Sequence, residues 1–269
     1  MKHNHKYKNI TLIAVFLAFI CQYTYAQYGY PPRMRMSPYP RVVVPVQPNP
    51  GYRQPYNPYR PIASPPLSFG MHFDPLISWF TTYSYDSRND GVVPGFNFGI
   101  SYNSYFSPNY SFSSGINIIN AGGRLISSDV THFELRNYNH DILIVQPGQT
   151  ITYRITYLSV PLGLKLQTNQ MGYGRFFTDF GFDPKIVIAG RADIPSLNIR
   201  GGNALPELNT FNLSFHIMAG MEYPLAGSNN FIFGIGFDSN LFDITRDNGN
   251  QPSDAVFQKT VSFRIGITF

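Results

Sequence analysis

The chain has one cysteine, few charges and no second long apolar run, and each shortage removes a class of protein. Its single cysteine is Cys21. That residue sits in an apolar N-terminal stretch, "ITLIAVFLAFIC", preceded by Lys2, Lys6 and Lys8 and followed by Thr24-Tyr25-Ala26. A positive start, a short apolar core and a small residue at the end read as a secretory signal peptide over residues 1–26. The run is about half the roughly 20 residues that a spanning helix needs. Ile20 is too bulky for a lipid-attachment motif at Cys21. Cleavage after Ala26 leaves a mature chain with no disulfide, no thiolate nucleophile and no thiolate metal site.

Charge of one sign is also missing where it would count. The formal charge of +5 is carried by the first quarter of the chain. Setting aside Lys2, Lys6 and Lys8 with Arg33, Arg35, Arg41, Arg53 and Arg60 leaves twelve basic residues after position 66 against all fifteen acids. The folded part is mildly acidic, so global basicity offers nothing for nucleic acid to bind.

What is present is aromatic and dispersed. The chain holds 23 Phe and 19 Tyr, spread through short stretches with Ile and Val, which favours strands. Residues 27–66 are dense in Pro, Tyr and Arg; proline locks φ and removes donors, so this segment is expected to be an extended or disordered periplasmic tail or linker. Arg33, Arg35, Arg41, Arg53 and Arg60, set among Tyr-Pro units, are its candidate docking residues.

From residue 67 the texture alternates. Eight strands are expected, at 68–84, 94–106, 110–126, 151–167, 175–190, 210–225, 230–244 and 257–269. The connections alternate too. "SPN", "TNQMGYG" and "AGSNN" are short, whereas 85–93, 127–150, 191–209 and 245–256 are long. In a meander every second connection lies on the same side, and transmembrane barrels put short turns in the periplasm and long loops outside. One face of these strands carries Phe96, Phe98 and Ile100, Leu158 to Leu166 at every second position, and Phe231 to Phe237 likewise; the other carries Asn97, Ser159, Asn212 and several glycines. The apolar face is assigned to lipid and the glycine-rich one to a narrow lumen. The expected fold is therefore all-β, an eight-stranded antiparallel up-and-down transmembrane β-barrel over 67–269, placed in the cell outer membrane of a Gram-negative bacterium. A secreted, lipocalin-like soluble barrel is the fold-level alternative.

The C-terminal "VSFRIGITF" alternates to its end, with Arg264 on the polar side. Phe269 resembles the terminal aromatic that the barrel assembly machinery reads. "YLSVPLGLKLQ" (Tyr157 to Gln167) followed by "RFFTDFGFDPKIVIAG" (Arg175 to Gly190) resembles the core of the PorT-like family of small outer-membrane β-barrels. That resemblance implies the barrel fold and outer-membrane location, and links to type IX secretion through the family's founding member. Ser159 stands where the family often has Glu, so a lumen pair using that Glu does not carry over.

Ten ionisable residues are expected to face the lumen as a polar network: His72, Asp74, Lys165, Asp179, Asp183, Lys185, His216, Glu222, Asp238 and Arg264. They mix both signs and show no tight motif, which points to mutual neutralisation rather than chemistry. His72 or His216 with a carboxylate and a serine is the catalytic alternative, in the manner of a lipid-modifying barrel enzyme. His132 and His140, near Asp129, Glu134 and Asp141, match no standard zinc spacing. Gly122-Gly123 and Gly201-Gly202 are read as turns or bulges rather than a phosphate loop. Trp79 and the tyrosines are expected to form interfacial belts. No enzyme activity, cofactor or metal is expected. The role read from these features is structural, interaction-based or secretion-accessory. The partners would be outer-membrane lipid, the barrel assembly machinery and an envelope or secretion complex reached through tail and external loops; a narrow solute pore is the alternative.

Overall fold

A computed structural model describes residues 67–83, 87–135, 142–225, 229–246 and 255–269. The signal peptide expected over residues 1–26, the proline-rich segment with its five arginines, His140, Asp141 and the Glu134 side chain lie outside the described residues.

Thirteen strands follow one another among the described residues: β1 (Leu67–Thr82), β2 (Ser87–Asn89), β3 (Val93–Ser107), β4 (Tyr110–Ser127), β5 (Thr131–Glu134), β6 (Ile142–Val145), β7 (Thr150–Ser159), β8 (Leu162–Gln167), β9 (Arg175–Ile194), β10 (Ile199–Asn203), β11 (Phe211–Pro224), β12 (Asn230–Asn240) and β13 (Val256–Thr268). Eight staves close a ring, β1-β3-β4-(β7+β8)-β9-β11-β12-β13, and β13 pairs back onto β1, every pair antiparallel. Closure leaves no edge in the hydrocarbon, which alone makes strands viable there. Phe69 and Phe269 exchange two backbone hydrogen bonds, of 3.0 and 2.8 Å, and complete the seam.

Hydrogen-bonded partners can be followed once round the ring. The path runs from Phe69 through Tyr102, Ser114, Leu162, Phe182, Phe215, Ser239 and Lys259 and returns to β1 at Trp79, a stagger of ten residues. Ten residues over eight strands set a tilt of about 40° to the barrel axis. Along β1, Leu67, Phe69, Met71, Phe73 and Ile77 face outward and exposed, with Trp79 half-buried at the top of the row. At about 3.3 Å per residue and that tilt, the row is roughly 30 Å tall, the thickness of a bilayer's hydrocarbon. The outward rings pair across strands, Phe73 with Phe96 at 6.1 Å and Phe182 with Phe215 at 5.9 Å.

Several boundaries differ from those read in the sequence. The stave expected over 151–167 is broken into β7 and β8 at Val160-Pro161, because Pro161 has no N–H for the ladder. Val160 N–H still donates to Pro184 O at 3.1 Å, so the line of the wall continues. The stretch 127–150 is not a plain loop: it carries the β5–β6 hairpin, and 191–209 carries the end of β9 and all of β10. Gly122-Gly123 mark neither turn nor bulge but lie inside β4. Their reason is steric, since a Cβ on Gly123 would lie 2.5 Å from the Phe80 ring. Gly201, at φ 65°, does sit at a register shift in β10.

The hydrophobic core lies toward the long-loop end, above the polar part of the lumen. It brings interior residues of the staves, Leu76, Phe80, Ile119, Ile151, Tyr153, Ile155 and Tyr157, together with Phe133, Leu135 and Val145 from the β5–β6 region and Ile199, Leu208 and Ile244 from the other connections. Tyr153 joins the layers, its ring centroid 5.8 Å from Phe80 and 5.9 Å from Phe133. Asp243 Oδ1 ties this roof, accepting from Thr245 N and Oγ1 and from Val256 N at 2.8–3.0 Å.

Candidate functional site

Alternation along the membrane half of the staves puts the polar parity inside, and the structure places all ten ionisable residues there. Nine line one lumen cavity of about 100 Å³; Glu222 lies just below it, next to Lys165. The cavity sits between two apolar layers, Phe177, Met218 and Ile232 below and Leu76, Ile119 and their neighbours above.

Asp74, fully buried on β1, is the most heavily bonded group in the wall. Arg264 of β13 donates from Nη2 to Oδ2 (2.9 Å) and from Nε to both oxygens (3.2 and 3.3 Å). Asn97 Nδ2 donates to Oδ2 at 2.9 Å, and the His72 ring donates from Nδ1 to Oδ1 at 3.0 Å. A second knot forms at Asp238, which accepts Lys185 Nζ on both oxygens (2.9 and 3.0 Å) and Ser214 Oγ at 2.9 Å. Lys165 pairs with Glu222 and stands 4.6 Å over the Phe177 ring. His216 lies between two carboxylates, Nδ1 at 2.9 Å from Asp183 and Nε2 at 3.7 Å from Asp179, which also accepts Ser113 Oγ at 2.7 Å. The His216–Asp183 contact is electrostatic rather than an aligned hydrogen bond.

The charges nearly balance. Five carboxylates meet Lys165, Lys185 and Arg264, with Arg175 opposite Glu222 in the register and two histidines between. In so narrow a bore, side chains of opposite sign must fill the space and satisfy one another. Glycines make that possible. A Cβ on Gly99 would lie 1.9 Å from Asn117 Oδ1 and 2.8 Å from His72 Nε2. Asn97 Oδ1 and Asn117 Oδ1 have no protein partner and belong to the same cavity wall, which is polar and roomy enough for water.

As a catalytic arrangement the site has little to offer. Asp74 is saturated by donors, and both histidine rings are committed to carboxylates inside a wall closed to lipid. Among the described residues no group of three or more His, Cys, Asp or Glu could hold a metal ion. His132 lies on β5 in the hairpin. Trp79 faces outward, paired in register with Lys259 near the long-loop rim of the apolar belt, where amphipathic side chains suit the interface. Phe269 is exposed on the outer wall.

Sequence reasoning puts Asn97 and Ser214 on the lumen face without assigning them to the network, and it misses Ser113, the Tyr157–Gln258 hydrogen bond (2.7 Å) and the apolar roof; Ser113, Tyr157 and Gln258 share the inward parity of the charged residues, and parity is the signal that finds them.

The family model for the outer membrane protein beta-barrel domain matches residues 67–246. This chain belongs to that family. The match covers most of the ring just described, and with it the barrel is an outer-membrane protein. A search of curated proteins returns no match. Among solved structures, the chain is similar to Ail, the attachment invasion locus protein of Yersinia pestis, at 13% identity and TM-score 0.36, over 75% of this chain and 98% of that one. It is similar also to OprG of Pseudomonas aeruginosa, at 9% identity and TM-score 0.39, over 75% and 94%. The outer membrane protease OmpT of Escherichia coli matches at 9% identity and TM-score 0.36, over 76% and 96%. Such distant likenesses say nothing of what this chain binds or cleaves.

Proposed function

We propose that this barrel is a non-enzymatic interaction protein of the outer membrane, a scaffold whose working surfaces are its external end and its proline-rich tail. The observation that carries this is the filled bore. Ion pairs occupy the lower lumen, and an apolar layer centred on Phe80, Tyr153 and Phe133 covers it. A solute would have to displace both, which weighs against the narrow pore. A lipid-modifying enzyme would need His72 or His216 to reach substrate, and each is held inside the wall by carboxylates.

The resemblance of Tyr157–Gln167 and Arg175–Gly190 to the PorT-like family supports a finer reading, in which the barrel is an accessory of a secretion complex such as type IX. In that reading Arg33, Arg35, Arg41, Arg53 and Arg60 form the docking arm, and Phe269 is the signal for barrel assembly. The test is to cross-link the tagged protein in native outer membranes and identify what accompanies it in near-stoichiometric amount. Recovery with envelope or secretion components, lost on deletion of residues 27–66, is the expected result. Recovery of the barrel alone, with export and envelope integrity unchanged on deleting the gene, would overturn the proposal.

A further inference from the structure

On one flank of the barrel the outward face changes from apolar to basic at a single level. Arg88 on β2, Arg124 on β4, Arg154 on β7 and Arg191 on β9 stand on four neighbouring strands, and all four are exposed. A chain neighbour of each, Ser87, Leu125, Tyr153 and Ala192, is buried, so the arginines point away from the core.

Their depths follow from the register. On strands tilted by about 40°, one residue climbs about 2.5 Å along the axis, and one step across from β2 toward β9 climbs about 3 Å. Arg88 lies opposite Ile126, Arg124 opposite Thr152, and Arg154 opposite Arg191. Sliding two residues back down, from Ile126 to Arg124 and from Thr152 to Arg154, cancels most of the climb across. The four positions therefore share a band only about 4 Å deep. Beneath it, Asn120 Nδ2 donates to Thr156 Oγ1 at 3.1 Å, and below that pair the exposed Ile118 and Leu158 begin the apolar belt. The arginines stand about 5–10 Å above the polar pair, the depth of lipid headgroups.

The carboxylates nearby do not cancel the row. Asp193 Oδ2 lies 4.0 Å from Arg154 Nε, and its Oδ1 accepts the Gly201 N–H at 2.6 Å. Asp90, whose N–H donates to the Arg124 carbonyl, accepts the Thr150 hydroxyl. Among the described residues, four guanidinium groups stand against these two carboxylates, with Asp129 in the connection after β4, which leaves a surplus of positive charge. The flank made by the end of β1, the start of β13 and the β12–β13 connection instead exposes Tyr83, Leu241 and Phe242 near the rim.

We propose that Arg88, Arg124, Arg154 and Arg191 form a binding row for the phosphate groups of the glycolipid that fills the outer leaflet. Guanidinium forks match phosphate oxygens two at a time, and a row spaced across adjacent strands can hold more than one phosphate of one headgroup. Acyl chains of the same lipid would lie on Ile118, Leu158 and Ile188 below. The lipid is thus held by both ends on one side of the barrel, which gives the scaffold a preferred lipid-facing flank.

The experiment uses the purified full-length barrel in mild detergent, with bound lipid counted by native mass spectrometry. The probes are bisphosphorylated lipid A, the same lipid dephosphorylated, and inorganic phosphate. The wild type should bind the bisphosphorylated form at least tenfold more tightly than the dephosphorylated one, and millimolar inorganic phosphate should not compete. Arg124→Gln, Arg154→Gln and Arg191→Gln together should weaken binding on the order of a hundredfold, and Arg124→Gln alone about fivefold. Arg246→Gln, outside the row, should leave binding unchanged. Heat-dependent mobility on gels reports that each variant is a closed barrel, and the single substitution serves where the triple one fails to close. Equal affinity for the two lipids, or a closed variant that binds like the wild type, would overturn the proposal. Full competition by inorganic phosphate would do so as well, because the site would then be one for a free anion.

Discussion

Asp74→Ala is the perturbation that asks most of the lumen network. The substitution removes the acceptor of three contacts from Arg264, at 2.9–3.3 Å, and of one each from Asn97 and His72. Arg264 is then a cation inside the barrel without its carboxylate, and breaking a buried pair from one side costs about 3–5 kcal/mol. The adjoining cavity of about 100 Å³ lets water reach the guanidinium, which places the expected loss at the lower end, about 3 kcal/mol. Arg264→Met alone should cost a similar amount, since Asp74 keeps only Asn97 and His72. The double variant leaves no unpaired charge but still opens space and takes the acceptor from Asn97 and His72, so it should cost no more than either single change. The expected coupling energy is therefore at least about 3 kcal/mol, the top of the range for residues in one network. The assay is urea unfolding of the refolded barrel in lipid vesicles, followed by fluorescence of Trp79, the chain's one tryptophan, and by gel mobility. Additive single effects, or a loss below about 1 kcal/mol for Asp74→Ala, would refute the view that this pair is desolvated and mutually dependent.

The roof and the glycines give further expectations. Phe80→Ala, which empties a fully buried ring site between Tyr153 and Gly123, should cost about 3–5 kcal/mol in the same unfolding assay. Gly123→Val should cost at least about 1–3 kcal/mol, because the added carbons meet the Phe80 ring, and Phe80→Ala should relieve it in the double variant. Deleting Phe269 removes both backbone hydrogen bonds to Phe69 at the seam, and the yield of heat-modifiable barrel in the outer membrane should fall against the full chain.

How far the sequence shows this structure depends on which half of the barrel is considered. In the membrane half, the apolar parity is unbroken along β1 and β13, and both ring closure and the inward placement of His72, Asp74 and Arg264 follow from it. Above the membrane the parity inverts. In "ITYRITYLSVPLGLKL" the inward-facing Ile151, Tyr153, Ile155 and Tyr157 are apolar, and then outward-facing Leu158, Leu162 and Leu164 take over. The switch between Tyr157 and Leu158 marks where the surroundings change from water outside and protein inside to lipid outside and polar side chains inside. A reading that looks for one apolar face per strand passes over it, which is why the roof is not legible in the sequence and the connections read as plain loops. The pairing inside the lumen was not legible for a different reason. Lys185 with Asp238, or Arg264 with Asp74, are neighbours only through register and shear, which no local pattern encodes.

A barrel whose bore is filled does not conduct, so single-channel recording from the purified barrel in planar bilayers is the measurement to make. A closed membrane with no stable conducting level is expected for the wild type. Steady, reproducible open steps in the wild type would contradict it, because ions would then be passing through both the ion-paired lumen and the layer held by Phe80, Tyr153 and Phe133.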